Sequence, residues 1–388
     1  MSPCKQKTLL LHVGLPKTGS TTIQDYLYQQ RLALASCSFQ VLSSQGHGHH
    51  FALAHQLLSL DVPGGVLPAD YAADVDLAID QFPVWGDAAT LIISEERLCS
   101  IGPSGAAAVE DYASRHAATI RVAVVIRDQL DWLYSMWTQD TKIQDADWCE
   151  HVKSLSAKRL GFLSKTCSAW AQAQTARVSL LNYQRTDFLP VFCERFQIPY
   201  IAQSVMQHQK FLNKAHSTAE CLYRAALHAL VFQLLNGLAP EIPRGFVNMQ
   251  LLFVSEEIRP VYEVTKRFED HVQQNQSEAQ NYYGSDSFPY ISAYLSQWAE
   301  DARDFYRKHE SIFDDKSQLV IKFLIEKASS NAEQLHRNPV NFKQLPQNNA
   351  ASILPIDSQF VSLARTIAHL IASKHVKVDR APSKQLTG

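Results

Sequence analysis

Short apolar runs alternate with helical patterns through the first 200 residues of this chain. Apolar residues recur at helical spacing between the runs, as at Ile23, Tyr26 and Leu27. Four runs rich in leucine, valine and isoleucine predict strands, at 8–14, 90–98, 119–127 and 176–183. Strands that alternate with helices predict an α/β fold, in which a P-loop-like parallel sheet is flanked by helices.

The strand pattern stops near residue 205. Residues 211–275 have mainly helical periodicity, 276–290 are polar and aromatic like a closing loop, and 291–388 are again mainly helical. We therefore expect a main domain at 1–290 and a mainly helical C-terminal extension at 291–388.

Composition restricts the classes of function. The formal net charge of −2 gives no basic surface of the kind that nucleic-acid binding needs. Seven scattered cysteines without metal-ligand spacing are typical of reduced thiols, so we expect a cytoplasmic protein without a cysteine metal site. No apolar stretch reaches the roughly 20 residues that span a bilayer, so no transmembrane segment is expected.

The strongest chemical signal is the segment HVGLPKTGSTTIQ at 12–24. A strand ends at Gly14, a tight loop follows, and a helix begins near Ser20. Backbone N–H groups at such a helix start, with the helix dipole behind them, form a site for an anion. Gly19 allows close approach of the backbone, while Ser20, Thr21 and Thr22 add hydroxyl donors.

The lysine of this loop is displaced from its place in the nucleoside-triphosphate P-loop. That loop has lysine directly after its second glycine, whereas here Ser20 follows Gly19 and the lysine is Lys17. The segment is similar to the 5′-phosphosulfate loop of the sulfotransferases that use 3′-phosphoadenosine-5′-phosphosulfate (PAPS). The resemblance implies a catalytic role for Lys17 at the leaving oxygen. It also implies that the donor is bound by Lys17, Thr18, Gly19, Ser20, Thr21 and Thr22.

Two later segments extend the resemblance. Arg127 ends a predicted strand and Ser135 follows eight residues later in a predicted helix. The family holds the 3′-phosphate of PAPS with an arginine and a serine at this separation, and a guanidinium suits a phosphate. Tyr183 resembles a tyrosine that lies near the adenine. The cytosolic branch often has tryptophan where this chain has Thr22, so adenine stacking must differ from that branch.

The proton acceptor has more than one candidate. Glu95 and Glu96 follow the second predicted strand, and only one of two adjacent residues is expected to enter the crevice. The glycan-directed branches use a glutamate base, which implies Glu95, although a carboxylate at a helix start also has a purely structural explanation. His50 and His55 resemble histidines near the acceptor cleft of bacterial relatives, and a histidine base stays an alternative.

The resemblance as a whole implies sulfuryl transfer from PAPS to a hydroxyl or amine. It points to the bacterial and glycan-directed members, and so to a glycan or glycoconjugate acceptor. Two alternatives stay open. One is a P-loop kinase or another nucleoside-triphosphate enzyme, against which the position of Lys17 argues. The other is a catalytically inactive binding protein that keeps the fold. No metal site is expected.

Overall fold

A computed structural model gives the architecture of the chain. It describes residues 6–42, 51–61, 85–140, 148–184, 187–201, 218–242, 247, 288–337 and 358–379. Of the predicted site residues, His50 lies outside the described residues, and so does the side chain of His55.

Five strands form one sheet in the order β2-β3-β1-β4-β5. Every pairing in this sheet is parallel, with β1 hydrogen-bonded to β3 on one edge and to β4 on the other. The strands are β1 (Lys7–Gly14), β2 (Phe39–Val41), β3 (Thr90–Ser94), β4 (Ala118–Ile126) and β5 (Ala176–Asn182).

Helices flank the sheet and make up the described C-terminal part. The helices of the first 200 residues are α1 (Ser20–Gln29), α2 (Arg31–Ser36), α3 (Phe51–Ser59), α4 (Pro103–Arg115), α5 (Gln129–Asp140), α6 (Trp148–Ala157), α7 (Leu163–Gln172) and α8 (Phe188–Phe196). Those of the C-terminal part are α9 (Thr218–Leu238), α10 (Phe288–His309), α11 (Asp315–Arg337) and α12 (Ser358–Asp379). A 3₁₀ turn, Glu96–Ser100, follows β3.

The continuous apolar run of β4 explains why this strand is buried inside the sheet. Val122, Val124 and their neighbours are fully buried, as expected for a strand covered on both faces. One face of the sheet packs on α1 and α8, where Ile23, Leu27 and Phe192 are buried in a single cluster. This burial of apolar surface is the main favourable contribution to the fold.

The predicted α/β fold with a helical C-terminal part is confirmed, and four predicted strands are present within one to four residues of their expected bounds. β2, α6 and α7 are present in the structure but were not predicted from the sequence. The sequence pattern placed 288–290 in a closing loop, whereas α10 begins at Phe288.

The chain divides into two compact units. The first comprises Met1–Trp132, Leu155–Lys214 and Ser292–Gln334, and contains the sheet. The second comprises Leu133–Ser154, Ala215–Ile291 and Leu335–Gly388, where α9 contacts α12. Residues 292–334 thus group with the sheet, although the sequence assigned them to an extension; the boundary at 290 itself stays a prediction. Within the described ranges, no helix has both the length and the hydropathy required to cross a membrane.

The start of α11 covers the free edge of β5. Phe313 forms a parallel bridge with Val178, and the buried Ser317 hydroxyl accepts a hydrogen bond from the Leu180 N–H at 2.7 Å. Asp314 directly precedes α11 and accepts hydrogen bonds from Ser179 and from the N–H of Ser317, so it caps the start of the helix. An edge strand leaves unpaired N–H groups, and this segment satisfies one of them.

We predict that Ser317→Ala lowers the free energy of unfolding by about 1–3 kcal/mol, because it leaves the Leu180 N–H buried without an acceptor. Urea unfolding of the two proteins measures the difference. Ser330→Ala is the matched control, since Ser330 is an exposed position of the same helix and surface changes stay within about 0.5 kcal/mol. Equal stability of both variants would contradict this role.

Candidate functional site

The carboxyl ends of four neighbouring strands carry the candidate site. Arg127 directly follows β4 and Tyr183 directly follows β5, and the Tyr183 N–H donates to the Ile126 carbonyl at 2.7 Å. Glu95 follows β3, and its N–H donates to the His12 carbonyl of β1 at 3.1 Å. In open parallel sheets this edge is where ligands bind.

The loop after β1 has an unusual backbone. Lys17 has φ of 66° and Gly19 has φ of 84°, both in the left-handed region. A lysine rarely adopts that conformation, and residues that do so concentrate at functional sites. When left-handed residues alternate with residues of ordinary backbone conformation, successive N–H groups turn toward one concavity. This is a common anion-binding arrangement.

Three hydrogen bonds hold the loop by its carbonyl groups. Thr18 Oγ1 donates to the Leu15 carbonyl, Trp132 Nε1 donates to the Pro16 carbonyl at 2.9 Å, and Arg127 donates to the Lys17 carbonyl at 3.3 Å. The N–H and C=O of one peptide unit point in opposite directions. The N–H groups of Lys17 and Thr18 therefore point away from Trp132 and Arg127.

The start of α1 adds further donors. Gly19 occupies the N-cap position and has no side chain with which to cap the helix; among the described residues, no side chain does so. The first N–H groups of a helix have no intrahelical partner. The N–H groups of Ser20, Thr21 and Thr22 are therefore available to an anion, and the helix dipole favours negative charge there.

Ser20 lies in the narrowest part of the loop. Its side chain is 1% exposed, and its Oγ has no hydrogen-bond partner within the described part of the chain. A Cβ atom on Gly14 would meet this Oγ at 2.3 Å, so a larger residue there would displace the hydroxyl. Buried hydroxyl groups are nearly always satisfied, and an oxyanion in the loop would satisfy this one.

Arg127 and Tyr183 meet beside the loop. Arg127 is 6% exposed, and its guanidinium carbon lies 5.2 Å from the centroid of the Tyr183 ring. A Cβ atom on Gly19 would meet the same ring at 2.7 Å. The structure thus brings together Lys17, Gly19, Arg127 and Tyr183, which are separated by up to 166 residues in sequence.

No family model, curated protein or solved structure matches this chain. The geometry of the loop and its neighbours is therefore the basis for any functional proposal. Ser135, the predicted partner of Arg127, lies half-buried on α5 in the second unit.

The two carboxyl groups after β3 have different surroundings. Glu95 is 1% exposed, and its Oε1 accepts the Arg97 N–H at 3.2 Å, which caps the 3₁₀ turn. This is the structural role that the sequence allowed for it, while its role as a base stays a prediction. Glu96 is half-buried instead.

Burial raises the pKa of Glu96, and the neighbouring Glu95 raises it further. Ser20, Lys17 and Arg97 act in the opposite direction and lower this pKa, although Ser20 and Glu96 do not meet the geometry of a hydrogen bond. Glu96 thus interacts with the loop at 15–20. From the sequence, Glu95 was the preferred candidate of the two.

His12 is a core residue, as its position on a strand suggested. It pairs in register with Ser94, and its Nδ1 lies 2.7 Å from Ser94 Oγ. Complete burial lowers the pKa of His12 to about 3, so the ring is neutral at physiological pH. Trp132, which holds the loop, was missed, because a tryptophan in a helical pattern predicts only packing. Across the described ranges, no group of three or more metal-binding side chains is present.

We predict that Gly14→Ala disrupts the loop, because the added methyl group would overlap Ser20 Oγ. The expected loss in the free energy of unfolding is about 1–3 kcal/mol. Combining it with Ser20→Ala should restore most of that loss, which a double-mutant cycle in urea measures. Gly237→Ala in α9 is the control, since among the described residues no atom apart from its chain neighbours and the adjacent helix backbone lies within 4 Å of that Cβ. Additivity of the Gly14 and Ser20 changes would contradict the overlap.

We predict that Glu96→Gln stabilises the protein at neutral pH. Burial raises the pKa of Glu96 in the folded state, so the folded protein binds more protons than the unfolded chain as Glu96 titrates. The wild type therefore loses stability as pH rises through the unfolded and then the folded pKa. Melting temperatures at a series of pH values should show a wild-type deficit that disappears in acid. A difference independent of pH would argue against this cause.

Proposed function

We propose that this protein is a sulfotransferase that transfers a sulfuryl group from PAPS to a hydroxyl or amine of an acceptor. The observation that supports this proposal is the meeting of Lys17, Arg127 and Tyr183 at one edge of the sheet, around a loop with an unsatisfied buried hydroxyl. The sequence resemblance had assigned these separate segments to one donor.

The donor would contact two parts of this site. The N–H groups and hydroxyls of residues 17–22 suit the phosphosulfate, and the Thr18 hydroxyl is already engaged with the Leu15 carbonyl, so its N–H is the donor that remains. Arg127 suits the 3′-phosphate because a guanidinium can donate two parallel hydrogen bonds to a phosphate. Tyr183 offers a ring beside Arg127 for the adenine end. The contribution of Ser135 rests on the resemblance alone.

The reaction would be an in-line displacement. The acceptor oxygen or nitrogen attacks sulfur while the bond from sulfur to the 5′-phosphate oxygen breaks and its electron pair stays on that oxygen. The ammonium of Lys17 would stabilise the charge that develops there. The acceptor proton would pass to a carboxylate. Glu96 suits this role because it interacts with Lys17 and Ser20, while Glu95 Oε1 caps the turn.

A raised pKa suits this role of Glu96, because a general base works best when its pKa is near the operating pH. A glycan or glycoconjugate acceptor and a cytoplasmic location belong to the same proposal and rest on the sequence patterns. His50 and His55 are kept as candidates for acceptor contacts on the same grounds.

We predict that 3′,5′-adenosine bisphosphate (PAP), the product, stabilises the protein more than AMP, ADP or ATP with Mg²⁺ at the same concentration. A ligand at about 100 times its dissociation constant stabilises by roughly 2.7 kcal/mol, which thermal unfolding detects readily. Stabilisation by ATP with Mg²⁺ but not by PAP would favour a kinase-like enzyme. Stabilisation by no nucleotide would exclude the donor.

We also predict that Arg127→Ala reduces the preference for PAP over AMP by about 10- to 100-fold, since a hydrogen bond to a charged group contributes about 1.5–3 kcal/mol. The preference is the measured quantity because Arg127 also holds the Lys17 carbonyl, and a general loss of binding would not identify its ligand. Arg115→Ala, at an exposed arginine of α4, is the control. An unchanged preference would contradict the assignment of Arg127 to the 3′-phosphate.

A further inference from the structure

The 3₁₀ turn Glu96–Ser100 is held against the end of β1, where the loop at 15–20 begins. Ser94 pairs in register with His12, the Glu95 N–H donates to the His12 carbonyl, and the Glu95 carboxylate caps the turn. Glu96 and Gly14 each lie two residues beyond the Ser94–His12 pair, so the backbone of Glu96 is fixed beside the start of the loop. Glu96 is half-buried, and both Lys17 and Ser20 lower its pKa.

An anion in the loop would share these neighbours with Glu96. Within the described residues, the buried Ser20 hydroxyl meets no partner at hydrogen-bond distance and angle, and Glu96 is a carboxylate whose pKa it lowers. A ligand oxygen that satisfies Ser20 and approaches Lys17 would come close to the Glu96 carboxylate. Two negative charges in a poorly solvated place repel each other strongly.

The other charged groups around Glu96 do not offset that repulsion completely. Burial and Glu95 together outweigh the cations, since the net effect on the pKa of Glu96 is upward even without an anion. His12 on β1 is neutral because burial lowers its pKa to about 3, and burial raises the pKa of Cys99 in the turn, so it stays a thiol. Among the described side chains, the titratable groups around this turn are Lys17 in the loop, His12 on β1, Lys165 on α7, Glu95 at the N-cap, and Arg97 and Cys99 in the turn itself.

We infer that Glu96 couples anion binding in the 15–20 loop to the uptake of a proton. The bound anion adds negative charge and occupies Lys17, and the carboxylate responds by protonation. The inference rests on the proposed function for the identity of the natural anion, PAPS, and concerns the regulation of the same site. Since the ionised form of Glu96 is the one that accepts the acceptor proton, rising pH would weaken donor binding while it favours the chemical step.

The test is calorimetric titration of the wild type and Glu96→Gln with PAP, and separately with inorganic pyrophosphate, from about pH 5 to about pH 8. The affinity of the wild type should fall relative to that of Glu96→Gln as pH rises, by up to about tenfold per pH unit. Both ligands have phosphates that titrate in this range, but their ionisation is the same for both proteins and cancels in the ratio. Buffers with different ionisation enthalpies should show more protons taken up by the wild type.

Glu95→Gln is the matched control, because it removes the adjacent charge while its amide oxygen can still cap the turn. It should keep the proton uptake that Glu96→Gln loses but move it to lower pH, because the Glu95 charge raises the pKa of Glu96. If Glu96→Gln does not fold, sulfate binding to the wild type decides, since sulfate keeps its charge over this pH range and any proton taken up belongs to the protein. Zero uptake with sulfate, or identical pH profiles for the wild type and Glu96→Gln, would overturn the inference.

The outcomes separate this inference from the proposed function. Tight binding of PAP with no difference between the wild type and Glu96→Gln supports the donor assignment and refutes the coupling. Binding of pyrophosphate with the expected proton uptake, but no binding of PAP, supports the coupling and refutes the sulfotransferase proposal. Binding of none of the three anions refutes both.

Discussion

The parallel pairing of β1 with β3 and β4 is the constraint on which the site depends. Hydrogen bonds on both edges of β1 fix the register of three strands, so their carboxyl ends meet at one edge of the sheet. The ladder continues past the strands, since Glu95 donates to His12 and Tyr183 donates to Ile126. The residues that follow each strand are thereby positioned by the backbone of the sheet, and the fully buried valines of β4 make that backbone rigid.

The anion loop is costly in isolation and is stable because the fold holds it. Lys17 in the left-handed region and a helix start without a side-chain cap are both unfavourable. Hydrogen bonds from Thr18, Trp132 and Arg127 to three consecutive carbonyl groups offset this cost. These contacts stabilise the loop through its carbonyl groups, and they involve none of the N–H groups to which we assign the proposed ligand.

Charge around the loop is distributed between buried and half-buried groups. Arg127 is buried against Tyr183, Glu95 is buried as a cap, and Glu96 remains half-buried beside Lys17. Groups in such surroundings respond strongly to an added charge, because the screening by water is weak there. Proton uptake by Glu96 on anion binding follows from that physics. It would make the affinity for the donor depend on pH through a residue outside the loop itself.

The α/β class, the glycine-bounded loop after β1 and the position of Arg127 at a strand end were all predictable from the sequence. These features are local: apolar periodicity, the glycines that bound the loop, and the lysine placed before Gly19 are all visible within a dozen residues. Lys17, Arg127 and Tyr183 could therefore be named as candidates, although nothing local shows that they meet. For His50, and for the side chain of His55, the described residues add nothing to the sequence.

Other features of the fold and the site could not be predicted locally, because each depends on contacts between segments that are distant in sequence. β2 has three residues, too few for periodicity to reveal, and exists through its pairing with β3. The start of α11 belongs to the sheet because Ser317 satisfies an edge N–H of β5. Trp132 holds the loop from 116 residues away. Glu95 and Glu96 are adjacent and chemically alike, and their difference arises because the 3₁₀ turn buries one carboxylate as a cap and leaves the other beside Lys17.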